Sequence, residues 1–439
     1  MRLFYPKYYH LKPLKKLNAI VISITLCCPF GSINSQNISK KAELYEQLSQ
    51  TKEPRTVLMY RKGWEMSYPA FDINSSDKLI LRFDMLGTEE ETLEYTIYQY
   101  DALWQKRNND QFEYLRDLTY GTIYDVVRSF NTTVDYVHYN VSFPNDEIKI
   151  TRSGNYKIVV YRNGDPEDVV LNRRFMVYDQ SAAINIDKAN MKDLGGMGVQ
   201  NLDMTLNIGQ LNVVDPHNEI KVLFMKNGNW QKLKQAPSFE HDGMSTLRFR
   251  FDNGIKVNGG NEYRYFFNKS VKYTNERIED IQYDAGYFNI YLREDKLRDM
   301  NPYFYYEEID GLYVIENKEG WDDPHTEANY TFVHFIFNTQ QPILSNIYLF
   351  GAFTDWQFKP EAQMFWNPDK EIYENSMLLK QGYYNYRYVM KDRDAEPDWF
   401  QLEGSHYETQ NKVLIMVYKL GRIYDYEELV GFEIVNTLE

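Results

Sequence analysis

The chain is poor in the residues from which thiol and metal chemistry is built. Its 439 residues hold two cysteines, Cys27 and Cys28, and both sit in one apolar run near the N-terminus. Beyond that run there is no thiol nucleophile, no thiolate metal site and no disulfide framework. Histidine is scarce too. Past His10 come only His138, His217, His241, His325, His334 and His406. None forms an H-x-x-x-H or H-E-x-x-H pair, which excludes a zincin-like site at the level of motif. No G-x-S-x-G elbow and no Walker-type phosphate loop occurs. Positive charge is outweighed: 49 Lys and Arg against 63 Asp and Glu give a formal charge of −14. Such a chain repels nucleic-acid phosphates and does not adsorb to an anionic membrane by charge. Long helical patterns are absent, and the longest apolar run is too short for a good transmembrane helix.

What is present is aromatic and β-prone. Aromatics make up 16% of the residues, with 38 Tyr, while 43% of the chain is hydrophobic and 26% charged. That composition builds packed cores and favours strands. The first 36 residues carry Arg2, Lys7, Lys12, Lys15 and Lys16 but no acid, then "LNAIVISITLCCPF" and "GSINSQ". A basic start, a short apolar run and a small polar exit read as a secretory signal peptide over residues 1–36. The lipobox pattern is poorly matched around Cys27 and Cys28. Cleavage there would remove five positive charges and take the formal charge from −14 to −19. A leader over 37–52, "SKKAELYEQLSQ" at its centre, has the spacing of one short helix.

Beyond the leader, apolar residues alternate. In "LILRFD" the apolar set is Leu79, Leu81 and Phe83; in "YVHYNVSF" it is Val137, Tyr139, Val141 and Phe143, with His138 opposite. Leu247, Phe249 and Phe251 alternate with Arg248 and Arg250. This is the pattern of strands half buried in antiparallel sheets. Asn-Gly turns at Asn163, Asn227, Asn253 and Asn258 punctuate it, and "EIKVLFMKNGNWQKL" reads as a hairpin.

A weak repeat is visible. "SGNYKIVVY", "GGNEYRYFF" and "QGYYNYRYV" each put a glycine before a Tyr-rich strand, at Gly154, Gly260 and Gly382. The spacings of 106 and 122 residues suit one β-sandwich per repeat. The reading is an all-β chain of three tandem antiparallel sandwiches, immunoglobulin-like or early-set, over 53–180, 181–327 and 328–439.

Chemistry is sparse. "NGDPED" and "WDDPH" gather oxygen donors but lack an EF-hand or nonapeptide spacing, and read as solvated loops. No catalytic, cofactor-binding or metal-ligating residue is assigned, and the chain reads as non-enzymatic. The segment "NIYLFGAFTDW" is different. Its G-x-F-x-x-W turn, Gly351, Phe353 and Trp356, resembles the scaffold of glycogen-binding modules and is read as a structural motif closing a sandwich end. Sugar binding would also need exposed flat aromatics. Trp366 and Trp399 are the candidates, as ligand platforms or as interface anchors.

The first sandwich carries the most specific text. "VLMYRKGWEMSYPAFDINSSDKLILRFDML", "YTIYQYDALWQ" and "SFNTTVDYVHYNVSFPNDEIKITRSGNYKIVVYRNGDPEDVVLNRRFMVYD" resemble the first domain of the type IX secretion system plug proteins of Bacteroidetes. The resemblance continues through "HNEIKVLFMKNGNW", "GGNEYRYF" and the C-terminal "EGSHYETQNKVLIMVYKLGRIYDYEELVGFEIVN". One departure is Tyr100-Asp101-Ala102, where the family pattern has Cys-Asp-Ala. The resemblance implies a periplasmic, non-catalytic protein that closes the mouth of a very large outer-membrane translocon barrel. The acidic charge and the lack of site chemistry add no cofactor, no nucleic-acid partner and no direct insertion into the membrane. The competing reading is an exported glycan-binding protein on the same sandwiches.

Overall fold

The computed structural model describes residues 53–192, 198–250, 253–421 and 426–438. The expected signal peptide, both cysteines, the leader and Phe251 lie outside them. The described chain is predominantly β, its strands joined by turns, by longer loops such as Met390 to Lys412, and by two four-residue helices, Pro216–Glu219 and Pro324–Glu327.

The first unit is a sandwich. One sheet runs, in spatial order, Arg55–Arg61, Leu79–Leu86, Tyr136–Phe143 and Asp125–Arg128. The other runs Ala70–Asp72, Val169–Tyr178, Gly154–Arg162, Leu93–Tyr100 and Tyr120–Thr122. Leu79, Leu81, Phe83, Val137, Tyr139, Val141 and Phe143 all enter the core between them, as their alternation predicts. The opposite, polar face is not left to solvent. His138 and Asp84, paired across strands, are also buried, because the third unit covers them.

The second unit packs two sheets around Leu202, Met204, Leu206, Leu247 and Phe249 on one side and Val222, Phe224, Val413, Ile415 and Val417 on the other. The second of these sheets corrects the expected domain order. Strand Ile220–Lys226 pairs only briefly with Lys234–Gln235, so the expected hairpin is short. Its main partner is Lys412–Leu420, followed by Glu427–Asn436. The C-terminal hairpin therefore returns to complete the second unit, and a linear cut near Glu327 does not follow the sheets. Leu202, Met204 and Leu206 already cover Val222 and Phe224, and what Lys412–Leu420 supplies is the hydrogen-bonding partner along the other edge of Ile220–Lys226.

The third unit is inserted before that return. A ten-stranded sheet leads from Arg264–Phe267 through Gly382–Met390, Ile347–Phe350, Gln363–Asn367, Ile372–Lys380 and Tyr330–Asn338 to Tyr287–Leu292 and Ile278–Asp284. It curls around one core: Phe337 and Tyr388, four strands apart, stack at 3.9 Å, and Phe335 meets Tyr386 edge-on at 5.3 Å. The sheets are not purely antiparallel, since Tyr287–Leu292 runs parallel to Tyr330–Asn338 and Ala70–Asp72 parallel to Val169–Tyr178.

The glycine repeat is half kept. Tyr156, two residues after Gly154, donates to the Arg152 carbonyl at 2.8 Å. Tyr384, two residues after Gly382, donates to the Lys380 carbonyl at 2.6 Å. These matching corners fix a buried hydroxyl on the backbone four residues back. Position 262 is Glu, so Gly260 has no such corner, and its strand Arg264–Phe267 pairs with Gly382–Met390 of the third unit.

Candidate functional site: the seams and the central cleft

The residues singled out in the third unit turn inward. Gly351 is extended (φ 175) and does not itself form the turn. Ala352–Thr354 forms one 3-10 turn, and Asp355 and Trp356 follow in the left-handed region. Glycine is needed at 351 for space: a Cβ there would meet the Asn385 carbonyl at 2.8 Å. Trp356 is buried with Tyr263, Phe350 and Val389, and Phe353 packs edge-on to Tyr384 at 6.0 Å. Trp366 is half-buried against the main core, edge-on to Tyr373 at 5.1 Å. Trp399 lies edge-on to Phe350 at 5.0 Å, with Lys232 of the second unit 4.1 Å over its ring. Both tryptophans are half-buried. Phe365, next to Trp366, is exposed.

Three seams join the units. Between first and third, Asp84 is the hub. Its Oδ2 accepts from Lys380 Nζ at 2.6 Å and Tyr330 Oη at 2.7 Å, and its Oδ1 from His138 Nδ1 at 2.7 Å. Lys380 also donates to the His325 carbonyl at 2.6 Å and lies 4.0 Å over the Tyr136 ring. All five side chains are buried. Burial alone would raise the Asp84 carboxyl, but Lys380 and His138 outweigh it and hold it below the usual range. His138 Nε2 finds no hydrogen-bond partner among the described residues, and the ring stacks on His325 at 5.5 Å. Burial lowers the His325 pKa, only partly offset by Glu65 at 3.5 Å.

Between second and third, charge is less well matched. Lys226 is buried and donates to the Asn258 and Gly259 carbonyls at 2.8 and 2.5 Å. Burial and then the Arg387 guanidinium push its pKa down to about 7. Arg387 Nε and Nη2, fully buried, make no hydrogen bond among the described residues. Burial, Asp310 and Glu262 push the Glu308 carboxyl well up. Deeper in the third unit the balance returns: Glu403 accepts from Arg264 at 3.0 Å and Arg298 at 2.7 Å. Between first and second, Met176 and Trp104 pack on Leu414, Met416 and Phe432, and Tyr418 Oη donates to Asn155 Oδ1 at 2.8 Å.

The three units enclose a cleft of about 610 Å³ lined by Lys157, Arg173, Arg174 and Met176 of the first, Met225 and Trp230 of the second, and Tyr313, Trp356 and Phe358 of the third. Among the described residues, no group of three or more His, Cys, Asp or Glu stands close enough to hold a metal ion. A separate rim surrounds the short helix Pro324–Glu327. Trp321, 96% exposed, donates its backbone NH to Glu327 at 2.6 Å; Phe130, 70% exposed, donates its backbone NH to the Thr326 carbonyl at 3.0 Å. Trp64, 51% exposed, precedes Glu65, the partner of His325. Sequence reading missed the seams and this rim, because partners such as Asp84 and Lys380 are 296 residues apart.

Fold and seams define a class: an all-β body of sandwich-type units joined through buried polar contacts. The comparisons narrow it. The family model described as the type 9 secretion system plug protein 1st domain matches residues 55–179. Residues 55–179 thus carry a plug-family first domain, which supports involvement in type 9 secretion. A crystal structure of a hypothetical protein from Parabacteroides merdae is similar over most of the length. The TM-score is 0.83 at 26% identity, over 88% of this chain and 97% of that one. No curated protein matches.

Proposed function

We propose that the protein is a non-catalytic, periplasmic component that closes the periplasmic opening of the outer-membrane translocon barrel of type 9 secretion. The observation that carries this reading is the plug-family first domain at residues 55–179. Closing a wide opening requires a stiff body with a broad contact surface rather than reacting groups. Three seams supply stiffness in the described chain. The exposed aromatic rim supplies anchors: Trp64, Phe130 and Trp321 are the kind of residue that dominates binding when buried by a partner.

The experiment is affinity capture of the tagged protein from detergent-solubilised outer membranes. The expected result is co-isolation of the very large barrel subunit, lost when Phe130 and Trp321 are both replaced by alanine. Absence of the barrel from the wild-type eluate, with the protein folded, overturns the reading. Retention by the double variant moves the contact away from this rim.

A further inference from the structure

One face of the first unit carries cations that the fold has not paired. Tyr98, Lys157 and Arg174 stand directly opposite one another on three neighbouring strands. Like charges facing each other across a pair of strands are destabilising. Lys157 Nζ lies 4.5 Å over Tyr100, Lys106 Nζ 3.9 Å over Tyr98, and the Arg174 guanidinium 5.1 Å from Trp104 and 5.3 Å from Trp230. None of these three cations has a carboxylate partner among the described residues. The sequence offers 63 acidic residues, and one step away Arg173 is paired with Asp355 at 2.6 Å. Burial lowers the pKa of Lys157, and Arg174 lowers it further. Burial lowers Arg174 as well.

The same cleft runs along an open strand edge. Val169–Tyr178 is paired on its outer side by Ala70–Asp72 only at Met176, Val177 and Tyr178. Upstream of these, no described strand covers that edge, and Asn172, Arg173 and Arg174 all line the cleft. An uncovered edge presents backbone donors and acceptors to an extended chain. Around it lie the half-buried Met59, Trp230 and Phe358, over a floor that includes the buried Met176 and Met225.

We propose that an acidic, extended polypeptide segment docks in this cleft, pairs with the free edge of Val169–Tyr178 and sets a carboxylate between Lys157 and Arg174. The carboxylate relieves the facing like charges, the backbone edge gives register, and Met59, Trp230 and Phe358 take the alternate apolar side chains. Long polyanions fit poorly, because the chain as a whole is acidic. Sugars fit poorly, because cations already cover these aromatic faces. The inference stands apart from the barrel reading and does not use the rim at Trp321.

The test is fluorescence anisotropy of the full chain with a labelled seven-residue peptide alternating glutamate and valine. Saturable binding is expected. It should weaken at least tenfold when glutamine replaces glutamate in the peptide, when alternate residues become proline, and in the Lys157→Met/Arg174→Gln variant. The melting temperature of that variant should stay level or rise, since a like-charge pair is removed. The inference falls if the wild type shows no saturable binding, if the glutamine peptide or the variant binds equally, or if a single-stranded DNA oligomer binds more tightly than the peptide. A fall in melting temperature together with lost binding assigns the cations to the fold and overturns it too.

Discussion

The third unit is held by two polar seams built on opposite principles. On its Asp84 side the central charges are paired: Asp84 takes Lys380, Tyr330 and His138, and Lys380 takes a carbonyl besides, while Arg82 Nε nearby makes no hydrogen bond among the described residues. On its Lys226 side, Lys226 and Arg387 repel each other, as do Glu308 and Asp310, and Arg387 keeps two unpaired nitrogens, although Asp310 is paired with Lys412 at 2.8 Å. Burying an ion pair adds little net stability, but removing one partner from it is costly. A seam of crowded like charges behaves in the opposite way, because neutralising one of its members relieves the rest. The first seam should therefore respond most to mutation and the second most to pH.

The sharpest way to break this comparison is Asp84→Asn. It leaves the Lys380 ammonium buried without a counter-charge, for an expected loss of about 3–5 kcal/mol in urea unfolding. Adding Lys380→Met should recover part of that loss. A single-variant cost under about 1 kcal/mol would show that the seam is not built on this pair.

Next in size is the pH response of the second seam. Lys226 has a folded pKa of about 7, below its unfolded value near 10.4. Between those values the unfolded chain holds a proton that the folded one has shed, so stability rises with pH. Measured against Lys226→Met, the wild type should gain up to about 1.4 kcal/mol per pH unit between pH 7 and 10. A flat difference curve would mean that Lys226 stays charged in the fold. A smaller effect belongs to Tyr330→Phe, which removes one donor from Asp84 and the acceptor of Thr56 Oγ1 at 2.5 Å. The expected cost is about 1.5–3 kcal/mol by equilibrium unfolding, since the lost bond is to a charged group. It should shrink in the Asp84→Asn background if the two act through one seam.

How much of this could be read from the chain differs by level. Alternation placed Leu79, Phe83, Val137 and Tyr139 in a core because strand period is a local property. The glycines before Tyr-rich strands at Gly154 and Gly382 were legible for the same reason, and at both the structure adds a matching hydroxyl bond. Domain order was not. Ile220–Lys226 reads alike whether its partner lies ten or two hundred residues away, and it pairs with Lys412–Leu420. His138 shows the limit for the site. Its place opposite the apolar set marks it as outward-facing, and only the third unit's arrival makes outward mean buried. Trp366 and Trp399 were flagged by type alone, and type does not tell an anchor from a packing ring.

The smallest effect tests whether the well-matched seam is also insensitive to acid. His325 is buried at the first seam with a pKa below its usual 6.5, because burial outweighs the pull of Glu65 and because Arg82, His138 and Lys380 lie near. It is therefore neutral in the fold and charged in the unfolded chain once pH drops below 6.5. The unfolded state then binds more protons, and stability falls as pH goes from 6.5 toward the folded pKa. Asp84 adds nothing in that range, since its carboxyl is held low and its contribution is lost only in stronger acid. His325→Gln should remove the mid-acid dependence while leaving the Asp84 hub in place. Hydrogen exchange at Phe130 and Ala328, whose amides bond across or within the short helix, reads this locally. Faster exchange at pH 5.5 than at pH 7.5 after correction for intrinsic rates is expected in the wild type and not in the variant. Equal protection at both pH values in the wild type would mean that His325 does not titrate against the fold, and that the first seam resists acid as fully as its pairing suggests.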